Sequence, residues 1–422
     1  MSQVSSKMRH QLEQHINGYS LEQPFYNNED YFQQEMKYMF RESWLFAGLT
    51  CEIPEPGNYF TAEFANESII VVRGMDGNVR AMHNSCRHRG SRVCLEKKGK
   101  AAKLVCPYHQ WAYDLDGSLL FARFMEDDFD PSQHGLVPVK AETIGGYIFI
   151  SLSESPEDFE QFRREVEPYM LPHDFENAKV AHESTLIEKA NWKLVIENNR
   201  ECYHCIGSHP ELIRSLQEYD DVTDPRVDQA FVNQTREKAE KWEKMGVPFE
   251  PTPHNLRYRA VRMPLLEGAL TMTMDGKAAC TKQMGSLTDT DLGSMRMLHL
   301  PNTWNHSCGD YAMAFRVMPI SAQETMVTTK WLVNKEAVEG RDYDIKRLTE
   351  VWKATNEQDK VLAENNQLGV NSSAYQPGPY CKKVEFGVIN FIQWYKDSML
   401  SRLPKSEQPR VALAQNARRA MF

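Results

Sequence analysis

Cys86 and His88 stand one residue apart, and Cys106 and His109 answer them with two residues between, giving C-x-H-x17-C-x2-H inside the phrases CRHRG and CPYHQW. Two thiolates and two neutral imidazoles on facing loops are the donor set with which a [2Fe-2S] cluster holds one iron by sulfur and the other by nitrogen. Replacing anionic thiolate by neutral imidazole removes negative charge and raises the reduction potential, as suits a relay of single electrons. A Cys2His2 zinc site would use the same side chains, but zinc modules mostly pair Cys with Cys on one arm and His with His on the other. Here each arm holds one of each, which favours the cluster.

An electron relay needs a destination. The stretch from Glu197 to Pro210, ENNRECYHCIGSHP, places His204 and His209 five residues apart, with Glu201 three residues before the first. On a regular helix, residues five apart point about 140° away from each other. Both imidazoles therefore reach one ion only if the helix ends or distorts, and Gly207 and Pro210 supply the break. The best third donor is Asp359, in Thr355-Asn-Glu-Gln-Asp359 on a late helix. Two histidines and a carboxylate on one face of Fe(II) leave positions open for O2 and a substrate, the arrangement of non-haem iron oxygenases. Cys202 and Cys205 flank His204; with one C-x-x-C and no thioredoxin-like context, they are expected to be buried helix cysteines without chemistry.

These residues need two different scaffolds. Residues 1–44 read as a polar helical arm, with Asn28-Glu29-Asp30 ahead of apolar residues at helical spacing from Tyr31 to Phe40, and the arm is expected to pack on the catalytic domain. Residues 45–155 read as short β-rich segments divided by turns such as Asp76-Gly77-Asn78, closing on a strand from Gly146 to Ser151. Residues 156–422 mix an acidic helix after Ser155-Pro156, strand-like runs from Tyr311 to Met318 and from Thr325 to Val333, and a long helix from about Tyr343 to Asn366. The expected fold class is α+β: an antiparallel β domain for the cluster, then helices against an antiparallel sheet for the iron.

Composition excludes some functions. With 41% hydrophobic and 25% charged residues the chain reads as globular, and a net charge of −9 argues against nucleic acid, which demands a basic face. Nine cysteines form no spaced disulfide framework, and neither a leader-like start nor a long apolar run is present, so a cytoplasmic protein without membrane contact is expected. The charged run from Arg236 to Lys244 reads as a solvated helix face. No nucleotide fingerprint GxGxxG occurs, so reducing equivalents must come from another protein.

Taken in order, CRHRG with CPYHQW, then NNRECYHCIGSHPEL, then EQD on a late helix resemble the oxygenase component of the Rieske non-haem iron ring-hydroxylating family over nearly the whole chain. The resemblance implies a Rieske domain beside a helix-grip catalytic domain. It implies that Cys86, His88, Cys106 and His109 hold the cluster and that His204, His209 and Asp359 hold the mononuclear iron. It further implies a homotrimer, in which the cluster of one subunit feeds the iron of the next through a carboxylate at position 201. The family usually has aspartate there, and this chain has Glu201, which leaves the geometry of the bridge open.

The phrase RECYHC and the stretch TMTMDG at 271–276 are most similar to the quaternary-amine branch of the family. That similarity implies O2-dependent hydroxylation of an N-methyl group, most simply of glycine betaine to dimethylglycine and formaldehyde. Proline betaine (stachydrine), carnitine and choline are the near alternatives, and an aromatic ring the distant one. It also implies a separate NAD(P)H reductase carrying flavin and a ferredoxin-type cluster. A pure electron carrier with a scaffolding second domain is the rival of another class. Aromatic faces would hold the quaternary ammonium; Tyr203, Trp304, Tyr380 and Phe386 are candidates that sequence alone does not assign.

Overall fold

The computed structural model describes residues 3–64, 66–216, 229–286 and 289–404. The arm comprises helices α1 (Gln3–Gln14), α2 (Pro24–Asn27) and α3 (Glu29–Glu35). Asn28 caps α3 by accepting a hydrogen bond from the Tyr31 amide, and Glu29 and Asp30 in its first turn complement the helix dipole. Beyond α3 a wider π turn, Met36–Phe40, carries the chain to the first strand. The arm is fastened by Glu35, which is fully buried. It accepts hydrogen bonds from Lys193 Nζ (2.7 Å), Trp192 Nε1 (2.8 Å) and Tyr395 Oη (2.6 Å), so charge and lone pairs are all answered.

Ten strands follow: β1 (Leu45–Leu49), β2 (Asn58–Phe64), β3 (Glu67–Arg73), β4 (Val79–His83), β5 (Lys98–Lys100), β6 (Leu104–Val105), β7 (Ala112–Tyr113), β8 (Leu119–Phe121), β9 (Pro138–Ile144) and β10 (Tyr147–Ser151). They form a sheet of order β1-β10-β9-β4-β3-β2-β5 and a small sheet β6-β7-β8. β2 alternates buried and half-buried residues, as a strand with one solvated face should. β1 and β10 are buried throughout because the next domain covers their other face. There, the Asn302 side chain accepts from the Phe46 amide and donates to the Phe46 carbonyl.

The remainder comprises α4 (Glu160–Met170), β11 (Ala178–Glu188), α5 (Trp192–Asn199), α6 (Cys205–Ser208), α7 (Gln229–Lys244), β12 (Tyr258–Met263), β13 (Ser294–His299), β14 (Thr303–Ser307), β15 (Ala312–Ser321), β16 (Glu324–Asn334), α8 (Ile345–Val370) and α9 (Phe386–Arg402). The six strands make an antiparallel sheet of order β11-β16-β15-β14-β13-β12. α8 lies across it: Asn356 donates to Thr329 Oγ1 on β16 at 3.0 Å, and the Trp352 ring meets Phe315 on β15 and His306 on β14. Asp344 caps α8, and Arg347 in its first turn grips Asp275 at 2.7 and 3.2 Å. The TMTMDG stretch thus helps to seat the helix that carries Asp359.

One expectation fails in detail. Glu201, His204 and His209 do not share a helix: α5 ends at Asn199, residues 200–204 run as irregular chain and turn, and α6 is four residues long. The break therefore comes before His204 as well as after Gly207. Two asparagines weaken the end of α5, and the Glu201 carboxylate competes for backbone by accepting from the Tyr203 amide. Among the described residues no helix is long and apolar enough to cross a membrane.

Candidate metal centres

The first centre sits on two tight turns of the β domain. Cys86 opens one: its amide donates to Ser91 O at 2.8 Å, and Gly90, at φ +78°, donates back to Cys86 O at 2.9 Å. Cys106 opens the other in the same way, through Trp111 O and the amide of Gln110. Both sulfurs are buried, and Cys86 Sγ lies 3.2 Å from Tyr113 Oη. The imidazoles occupy the outer edge, His88 exposed and His109 half-buried, with their Nδ1 atoms 3.1 Å apart. Trp111 stacks on His88 with ring centroids 4.9 Å apart. Two buried thiols and two converging imidazole nitrogens on facing turns are the donor types of a mixed-ligand cluster, and fit one here.

The second centre lies at one pole of a cavity of about 190 Å³ between the helices and the sheet. His204 Nε2 and His209 Nε2 are 3.0 Å apart, and Asp359 Oδ1 lies 3.4 and 3.0 Å from them. That oxygen is buried and accepts no well-formed hydrogen bond among the described residues. Three lone-pair donors converging on one point, one of them an orphaned carboxylate oxygen, fit a mononuclear iron. Each imidazole is aimed from behind. His204 Nδ1 lies 2.6 Å from Glu201 Oε1, and His209 Nδ1 lies 2.8 Å from Gln358 Oε1, whose amide nitrogen donates to Glu211 at 2.8 Å. Burial disfavours a charged His204, but Asp359 and Glu201 outweigh it and raise its pKa to about 9; His209 is raised in the same way, chiefly by Asp359 against burial. Metal binding there must displace protons.

Cys205 Sγ also lies within 4.8 Å of the two histidine donors. It is bonded to Cys202, which corrects the expectation of two buried helix cysteines: Cys202 lies in the turn before α6, and their Cα atoms are 5.0 Å apart, within disulfide range. Cys205, held in that bond, offers no free thiolate, which leaves Asp359 as the candidate third donor.

Of the four aromatic candidates, Tyr203, Trp304 and Phe386 line the cavity, and Tyr380 does not. Its hydroxyl donates to the buried Glu197 at 2.9 Å. Sequence reading missed Gln358, Trp352, His306 and Arg296. Gln358 had a signal, because it adjoins Asp359. So did Asp359 itself: the buried stripe of α8 runs through Leu348, Trp352, Thr355, Ala363 and Gln367, and Asp359 falls where that spacing calls for an apolar residue.

Comparison with known proteins now decides the family. Residues 43–127 match the Rieske [2Fe-2S] domain, and residues 175–401 match the ring hydroxylating alpha subunit catalytic domain. The chain belongs to the Rieske non-haem iron oxygenases. This oxygenase is 58% identical over 386 residues to the glycine betaine monooxygenase oxygenase subunit of Pseudomonas aeruginosa (strain UCBPP-PA14), covering 91% of this chain and 90% of that protein. It is 52% identical to the protein of the same name from Chromohalobacter salexigens, over 96% and 91%. The carnitine monooxygenase oxygenase subunit of Escherichia coli K12 is 36% identical over 201 residues, covering 46% of this chain and 53% of that one. In fold it resembles the quaternary ammonium Rieske monooxygenase CntA in complex with L-carnitine, with a TM-score of 0.70 at 22% identity, covering 93% of this chain and 98% of that one. Its cofactors are accordingly a Rieske [2Fe-2S] cluster and a mononuclear iron, and its second domain is catalytic rather than a scaffold.

Proposed function

We propose that this oxygenase hydroxylates an N-methyl group of glycine betaine, so that the N-hydroxymethyl product falls apart to dimethylglycine and formaldehyde. The observation that carries the proposal is a small cavity with the three-donor pole at one end and a wall of Trp304, Trp352 and His306 beyond it. Aromatic faces attract a quaternary ammonium without demanding hydrogen bonds, and the cavity suits a compact amine better than a polycyclic ring. Relatives of 52–58% identity carrying that activity in their names support the same choice.

In this reading Cys86, His88, Cys106 and His109 hold the cluster, and His204, His209 and Asp359 hold the iron. Iron so held supplies the activation of O2 for insertion of oxygen into a C–H bond. Glu201 and Gln358 keep both imidazoles oriented, and the aromatic wall positions the methyl group and excludes water. Electrons come from a separate NAD(P)H reductase with flavin and a ferredoxin-type cluster, which places the protein in the cytoplasm. The functional unit is a homotrimer in which Glu201 joins His204 to a cluster histidine of the neighbouring subunit. Tyr108, exposed and with its ring centroid 3.8 Å from that of His109, supports a protein-covered surface beside the cluster histidines.

The test supplies the reconstituted protein with reductase, NADH and O2, and with glycine betaine, proline betaine, carnitine, choline or an aromatic acid in turn. Formaldehyde formed in step with glycine betaine loss is the expected result; loss of an aromatic acid without formaldehyde overturns the proposal. For the relay, Glu201→Gln should keep both metals and nearly abolish coupled turnover. Unchanged turnover would remove Glu201 from the electron path.

A further inference from the structure

The cavity has a charge polarity that the iron pole does not explain. Among the described residues its acidic lining groups are Glu201 and Asp359, both committed to the histidines at that pole. The inward stripe of α8 leads away from them through Thr355 to Trp352, about 10 Å along the helix axis from Asp359 at 1.5 Å per residue. His306 lies against Trp352 with ring centroids 4.6 Å apart, and His306 is the cross-strand partner of Arg296. The pairing Leu298–Trp304 beside it puts Arg296, Leu298, Trp304 and His306 on one face of the sheet, turned to the cavity. Burial, and secondarily Arg296, hold His306 well below its ordinary pKa, so the imidazole is neutral and the charge directly beside it is the Arg296 guanidinium's. Trp304 and Trp352, each more than nine-tenths buried, carry indole N–H donors with no acceptor among the described residues. The end of the cavity away from Asp359 thus holds a guanidinium and indole donors and, among the described residues, no carboxylate, which suits the anionic end of a short zwitterion, while the ring faces of the same wall suit its ammonium.

We propose that Arg296 anchors the carboxylate of the substrate, and that this contact makes the cavity selective for short betaines over quaternary amines that lack a carboxylate. A guanidinium has five N–H donors, enough for a carboxylate alongside any other partner. Arg259, Arg200 and Lys383 also line the cavity, but Arg259, opposite Leu298 on the edge strand, is one strand farther from His306, and the other two stand on the loops beside Glu201 and Phe386. Arg296 is the one placed beside His306 at the end of the aromatic wall. The assignment rests on the betaine reading above, and the experiment separates the two.

Calorimetric binding of glycine betaine and of choline is measured on the metal-loaded wild type, Arg296→Gln and Arg296→Lys, with KM and kcat from formaldehyde release. A lost charged hydrogen bond predicts that Arg296→Gln weakens glycine betaine on the order of 30-fold, more in KM than in kcat, while choline affinity stays within about two-fold. Arg296→Lys, which keeps the charge, should recover part of the loss and covers the case in which the glutamine variant folds poorly. Unchanged glycine betaine affinity in both variants, or equal weakening of choline, overturns the anchor alone. A wild type that neither binds nor consumes glycine betaine overturns the betaine reading and the anchor with it.

Discussion

In the Rieske domain the four candidate cluster ligands fall between positions 86 and 109, on two turns closed by their own backbone hydrogen bonds. At the iron pole His204 and His209 come from a broken helix, and Asp359 comes from α8, which reaches them only because it is laid across the sheet. Exposure separates them too. His88 stands at the surface, whereas His209 is 1% exposed. A centre that takes electrons from another protein must present an edge, and one that oxidises a C–H bond must keep water out. The first can therefore be made from local turns; the second needs a long-range assembly, whose parts fail one at a time.

The largest expected effect removes one centre and spares the other. His209→Ala should bring iron from about three per chain to about two by elemental analysis, leave the visible spectrum of the cluster in place and eliminate detectable product. Loss of the cluster spectrum as well would show that the two regions are not separable.

The seam between the regions comes next. Glu52, 2% exposed and in the turn after β1, receives Lys330 of β16 at 2.6 Å and Lys98 of β5 at 2.8 Å. Burial opposes its charge, but the two lysines prevail and hold its pKa at about 2, against an ordinary 4.5. Glu52→Gln should cost about 3 kcal/mol in denaturant unfolding at pH 7, because it leaves the largely buried Lys330 with only a longer, 3.6 Å contact to the partly exposed Glu183. A carboxylate with a depressed folded pKa stabilises above its unfolded value and loses that contribution as pH falls through the folded one. The gap between wild type and variant should therefore close between about pH 4.5 and about pH 2. A gap that holds constant over that range would assign the loss to packing.

The smallest effect sharpens the contrast. Gln358→Ala frees the back of His209 without removing a ligand, and iron affinity should fall 10–100-fold by competition with a chelator while the cluster stays intact. No change would mean that the buried surroundings of His209 suffice to aim its ring.

The turns that present CRHRG and CPYHQW, the antiparallel strands around them and the length of α8 were legible in sequence, because each depends on residues close together in the chain. Hydrophobic period, turn residues and ligand spacing act over one or two dozen positions. The convergence of His204, His209 and Asp359 was anticipated only as a grouping. The helix break before His204, the Cys202–Cys205 bond, the role of Tyr380 in satisfying Glu197 and the place of Arg296 in the cavity were not readable. Each is set by which element packs against which, and no local pattern encodes that.

Sequence by itself determined the chemistry available to this oxygenase: two thiolates, four histidines and a carboxylate, in an order that admits a cluster and an iron. Tertiary structure alone decided that Asp359 faces the two imidazoles, that Glu201 and Gln358 stand behind them and that the far wall is aromatic and cationic. The physical reason is that donor type belongs to a residue. Convergence belongs to the packing of α8 on the sheet, which depends on buried contacts between segments far apart in the chain.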